Sequence, residues 1–161
     1  MASEPSDEKL EKRARNVLLY QISRSMKTKQ QLAQILVKRE IPDHVALPLL
    51  DRFEEAQLIN DAEFARAFVV SKLATGGKSA MALRRELRQK GVADDLIAEA
   101  LSDLDQEQEQ QIANKLAISR YQRLLKLEPD VRYRRLSGFL MRRGFSSAIT
   151  TRAIREAQAS G

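Results

Sequence analysis

One apolar frame occurs three times in this chain, and a chain that repeats itself at a fixed period has to pack copy against copy. The frame is clearest between Ser79 and Leu101, where Leu83, Leu87, Val92, Leu96, Ala100 and Leu101 are apolar. Fifty-one residues earlier the same positions are Leu32, Leu36, Ile41, Val45, Leu49 and Leu50; 53 residues later they are Leu136, Leu140, Phe145, Ile149, Ala153 and Ile154. The first two copies also match upstream, Ala14, Val17, Leu18 and Ile22 falling on Ala65, Phe68, Val69 and Leu73. The spacings of three and four are those of a helix buried on one side. Gly91 and Gly144 follow Lys90 and Arg143, where a helix ends in a left-handed residue. The expected fold is all-α: three tandem three-helix repeats in an elongated, curved array. Residues 1–6 are expected to be disordered, with repeats over 7–59, 60–104 and 105–158.

Local signals place the helices. Thr28-x-x-Gln31 is a capping box opening the second helix. Pro42 suits the first turn of the third, and Pro48 is expected to kink or shorten that helix. Asn60 or Asp61 caps the fourth, and Thr75-Gly76-Gly77 separates it from the fifth. The sixth is expected over about residues 93–104. The acidic run after Asp105 reads either as a linker or as the start of the seventh helix. The eighth runs from about 131 to 143, and the ninth starts at Ser146 or Ser147. Glu40 stands where the other two repeats have glycine, so the first repeat's turn is expected to be built differently.

Composition excludes several classes of function. There is no cysteine, hence no disulfide and no thiolate metal site. No apolar run approaches the ~20 residues needed to span a bilayer, and the first eight residues lack the apolar core of a secretion signal. The expectation is a soluble cytoplasmic protein without membrane association. His44, the single histidine, has no cysteine or second histidine with which to build a metal site or a triad. Gly76-Gly77-Lys78-Ser79 resembles the tail of a phosphate-binding loop. It has Lys72 where the first glycine belongs and a helix where a strand belongs, and it reads as a break between helices. No catalytic residue, cofactor or metal is expected.

Charge carries the functional signal. Residues 111–161 hold 11 basic and 3 acidic side chains, while residues 92–114 hold seven acids and no base. A basic end favours a polyanion or an acidic surface as partner. Lys38, Arg39, Lys90, Arg142 and Arg143 sit in final helical turns, where cations also offset the helix dipole by about 0.3–1 kcal/mol each. Arg84, Arg85, Arg88, Arg134 and Arg135 come too early in their helices for that explanation and read as contact residues. Arg135 and Arg142, seven apart, share a helix face, and Arg134 lies on another flank. Arginine suits phosphate and carboxylate because its donors form a planar fork. A helix-turn-helix protein reading duplex DNA fits the basic helices as an alternative, although Asp94, Asp95 and Glu99 make the sixth helix a poor groove binder and few aromatics are placed to stack on bases.

The stretch Asn60-Asp-Ala-Glu-Phe-Ala-Arg-Ala-Phe68, then Gly77, then Leu83-Arg-Arg-Glu-Leu-Arg-Gln-Lys-Gly-Val92, resembles the central signature of the RecX family, the bacterial regulators of RecA recombinase. The Leu140-Met-Arg-Arg-Gly-Phe145 block extends the resemblance towards the C-terminus. The resemblance implies a non-catalytic monomer that binds the RecA–DNA filament in its groove. It further implies inhibition of ATP hydrolysis, strand exchange and coprotease activity, and a place in recombination, DNA repair and the SOS response. DNA, single-stranded or duplex, would be met directly or through the filament. The contact positions carried over by the resemblance are Arg84, Arg85, Arg88, Lys90, Arg142 and Arg143. Lys72 departs from an arginine common in the family.

Overall fold

Six helices among the described residues begin where a short polar side chain accepts from a free N–H of the first turn. The computed structural model describes residues 4–161, which form nine helices and no strand. These are α1 (Asp7–Arg24), α2 (Lys29–Lys38), α3 (Asp43–Glu55), α4 (Asp61–Ala74), α5 (Ala80–Gln89), α6 (Asp94–Ala100), α7 (Gln106–Arg123), α8 (Pro129–Arg142) and α9 (Ser147–Ser160). Ser6, Thr28, Asp105 and Ser146 cap α1, α2, α7 and α9. Asn60 caps α4 and Ser79 caps α5, each accepting at 3.0 Å. Residues 1–3 lie outside the described residues, and Glu4, Pro5 and Ser6 are non-helical.

Several boundaries differ from expectation. Pro42 is the N-cap of α3 and lies just outside the first turn. The helix continues through Pro48 to Glu55, giving up one backbone bond. The acidic run after Asp105 is the start of α7, because the Asp105 carboxylate accepts from the Gln108 N–H at 2.8 Å. α6 has only seven residues. Ile97 on it and Leu101 just past its end are buried, whereas Leu96 and Ala100 are half-buried. Both pairs are four residues apart, so periodicity alone does not choose between them. The other apolar positions of the threefold frame are all buried.

The chain forms two compact units. The first comprises the chain up to Ala65 together with Leu87–Leu96. Its core gathers Leu18, Leu32, Leu36, Leu49, Leu50 and Ile59, none more than 1% exposed. The second comprises Arg66–Glu86 and Ile97–Gly161. In it α7 packs along α9 with Ala113, Ala117, Ala153 and Ala157 in the core. These small side chains allow close approach of the two helices, and Leu136, Leu140, Phe145 and Ile154 complete the cluster.

A polar joint recurs in each unit at positions related by the repeat. In the first, the fully buried Thr28 hydroxyl accepts from the Gln31 N–H and donates to the Lys90 carbonyl at 2.6 Å. Beside it the Lys29 N–H donates to the Asp61 carboxylate at 2.9 Å. Burial pushes the Asp61 carboxyl up from its ordinary value, and that backbone bond opposes the shift. In the second, the fully buried Ser79 donates through its N–H to the Arg143 carbonyl at 3.1 Å. The adjacent Ala80 N–H donates to the Glu109 carboxylate at 2.9 Å. In each case the start of one repeat's second helix seats against the end of the next repeat's second helix. The new neighbour's carboxylate takes an N–H the helix cannot satisfy itself.

The joint explains the glycines. Gly91 and Gly144 both have positive φ, +89° and +92°. A Cβ on Gly91 would overlap Gln30, and one on Gly144 would overlap Ser79 and come within 2.8 Å of Ala82. Glu40 also adopts the left-handed conformation, φ +60°, so the first repeat's turn is built like the others, contrary to expectation. Glu40 is exposed. Its Cβ therefore costs only backbone strain, about 1 kcal/mol. Glu40→Gly is accordingly expected to be neutral or to stabilise by up to about 1 kcal/mol, whereas Gly91→Ala and Gly144→Ala add overlap to strain and should each lose more than about 1 kcal/mol in urea melts.

Candidate polyanion interface

The basic end of the sequence folds into one arginine-lined concavity. Leu136 and Leu140 are fully buried and fix the inward side of α8. Arg134, Arg135 and Arg142 of that helix are exposed and line a hollow of about 600 Å³. Arg134, set apart by helical spacing, thus joins the other two. A fourth lining residue, Arg120 on α7, was not anticipated from the sequence. Leu124 and Val131 supply apolar lining. Arg120 lies over the Phe139 ring, 4.6 Å from its centroid, which orients the guanidinium by cation–π attraction. Among the described residues none of the four has a carboxylate oxygen within 4.0 Å. Like charges gathered around one hollow raise its potential, and an anion with several oxygens would relieve their repulsion while accepting bidentate bonds.

The other predicted contact residues are placed differently. Arg84 and Arg85, between the buried Leu83 and Leu87, are exposed on α5, as is Arg88, which falls in the last turn of that helix, contrary to expectation. Arg88 Nε donates to Asp94 Oδ1 at 2.8 Å, with both side chains more than half exposed, a pairing of little energetic weight. Lys90 is half-buried, and its carbonyl belongs to the joint with Thr28. Arg143 is half-buried too. Its Nη1 donates to the Gly77 carbonyl at 2.9 Å, and its guanidinium lies 4.9 Å from the Phe139 centroid. That side chain holds the turn before α5, so its charge is already engaged within the fold.

The remaining motifs are absorbed by structure. Lys78 pairs with Glu86, and Ser79 Oγ accepts from the Ala82 N–H, so the phosphate-loop-like stretch is a helix start. His44 Nε2 lies 3.0 Å from Asp7 Oδ1 at the surface. Among the described residues no three His, Cys, Asp or Glu side chains cluster as metal ligands, and no helix is long and apolar enough to cross a membrane.

Comparison with known proteins matches residues 60–101 to the second three-helix domain of RecX and residues 106–154 to the third. This chain belongs to the RecX family. Regulatory protein RecX of Streptomyces coelicolor is 44% identical over 144 residues, which are 89% of this chain and 77% of that protein. Regulatory protein RecX of Thermobifida fusca is 41% identical over 149 residues, 92% of this chain and 80% of that protein. Two RecX crystal structures share the fold. One has a TM-score of 0.80 at 24% identity and covers 96% of this chain and 80% of its own. The other, from Lactobacillus salivarius, has a TM-score of 0.81 at 20% identity and covers 93% of this chain and 97% of its own. The all-α array of tandem three-helix RecX domains is thereby established, and its relatives are regulatory proteins.

A hollow whose four arginines have no carboxylate partner among the described residues should bind a compact polyanion in the folded state only. Tripolyphosphate at ten times its Kd should stabilise this RecX-family chain by about 1.4 kcal/mol, and the gain should vanish in an Arg134→Ala/Arg135→Ala variant followed by thermal melting.

Proposed function

We propose that this chain binds the filament that RecA recombinase forms on DNA and restrains its ATP hydrolysis, strand exchange and coprotease activity. The observation that carries the proposal is the convergence of Arg120, Arg134, Arg135 and Arg142 on one hollow without a carboxylate partner among the described residues. Membership of a family of regulatory proteins supports it, as do the exposed Arg84, Arg85 and Arg88 on α5. A filament of protein on DNA offers closely spaced phosphates and carboxylates, the two groups an arginine fork holds in bidentate fashion.

The mechanism is differential binding. A regulator shifts a filament only as far as it prefers one of its states. A body that engages neighbouring subunits and the enclosed DNA opposes motions and additions that need those surfaces free. The phosphate share of the affinity weakens as salt rises, because binding releases counterions from the nucleic acid. No step of chemistry is required of the regulator, in keeping with a protein that acts by occupancy.

Two variants test the proposal on folded protein. Arg84→Ala/Arg85→Ala/Arg88→Ala and Arg134→Ala/Arg135→Ala replace exposed side chains, so helicity and melting should stay near wild type. Each variant should need about tenfold more protein, or worse, to inhibit cognate RecA, since every lost phosphate contact lowers affinity and salt dependence. Undiminished inhibition by both folded variants would remove these arginines from the interface. Tight, sequence-selective binding to duplex DNA without any effect on RecA would replace the filament reading with that of a duplex-DNA reader.

A further inference from the structure

A second surface of the Arg66–Glu86/Ile97–Gly161 unit has the opposite chemistry. The second half of α4 presents apolar side chains on more than one side: while Val69 is buried, Val70 is 68% exposed and Leu73 36% exposed. Val70 and Leu73 form one wall of an open groove of about 290 Å³, whose other wall comes from Ala100 at the end of α6 and Leu104 beyond it. Glu99 and Asp103 stand among the lining residues, and Arg66 is the one cation there. Asp105 and Glu107 follow directly in the chain and are exposed. Among the described residues none of these four acids has a cation within 4.0 Å.

The fold does not account for these acids as caps alone. Asp105 caps α7 and Glu107 lies in its first turn, where an acid offsets the helix dipole, but among the described residues Glu99 and Asp103 make no side-chain bond to a helix start. An apolar trough with an acidic rim is the complement of an amphipathic helix that has apolar residues on one face and Lys or Arg at its borders. The apolar floor supplies affinity through buried area, and the rim selects positive over negative helices by charge. We propose that this groove docks a basic amphipathic helix of a protein partner. The proposal is independent of the filament reading, since it concerns a different surface, a partner of the opposite charge and no nucleic acid. Its consequence is a protein with two faces: an arginine hollow for anions and an acid-rimmed groove for a cationic helix.

The probe is a fluorescein-labelled synthetic peptide of Leu and Lys, patterned to place the leucines on one helical face, read by anisotropy against the whole chain. Two control peptides accompany it: the same composition with the leucines scattered, and the same pattern with Glu replacing Lys. The patterned Lys peptide should bind, and both controls should bind at least about tenfold more weakly. Val70→Asp/Leu73→Asp should abolish the preference. Glu99→Gln/Asp103→Asn, exposed and outside the core, should weaken binding several-fold with melting unchanged, and Arg134→Ala/Arg135→Ala should leave it intact. Equal binding of the scattered peptide would reduce the effect to charge and overturn the proposal, as would unaltered binding by the folded Glu99→Gln/Asp103→Asn variant. Self-association of the chain that is lost on Val70→Asp would put a second copy in the groove and overturn the assigned occupant.

Discussion

Everything in this structure depends on a hydrogen-bonded seat that each three-helix repeat offers to the next. Thr28 and Ser79, 51 residues apart, are both fully buried and both bond to the carbonyl that precedes a left-handed glycine in the following repeat. Polar groups at such a depth are tolerated only when satisfied, so each seat specifies one docking geometry rather than a range. Asp61 and Glu109 reinforce it from the following repeat's first helix. Leucine packing alone would favour association of neighbouring repeats without fixing their register. The seat supplies that register and requires glycine at Gly91 and Gly144, where a backbone has to pass close to a neighbour.

The seat also shapes the arginine-lined surface. By bonding to the Arg143 carbonyl, Ser79 ties the end of α8 to the start of α5 within one unit. Arg143 adds a second tie through its side chain to Gly77. The last turn of α8 is thus held while Arg142, next in sequence, stays exposed and faces the hollow. One arginine of the Arg142–Arg143 pair serves the fold and the other stays exposed at the hollow. Charge counted along the sequence cannot divide the pair in this way.

Much of the fold was legible because it repeats. The threefold frame predicted an all-α chain and most of the core, and the local Thr28-x-x-Gln31 motif predicted the capping box of α2. The misses arise where a second segment decides. Periodicity could not choose Ile97 over Leu96 on a seven-residue helix, since either stripe is a valid one. Glu40 was read as a sign of a different turn, because the reason for glycine, a neighbouring repeat, is not a local property. Arg120 lies 14 residues before Arg134, and only the packing of α7 beside α8 brings the two to one hollow. The acidic segment after α6 was legible as a charge run. Its position beside the bare valine and leucine of α4 was not.

The most direct test of the central claim is single-stranded-DNA-dependent ATP hydrolysis by the cognate RecA, titrated with this chain at low salt. The account predicts inhibition at amounts well below one per RecA, as expected for a protein that engages several subunits or acts at filament ends. Unchanged hydrolysis up to equimolar folded protein would contradict it.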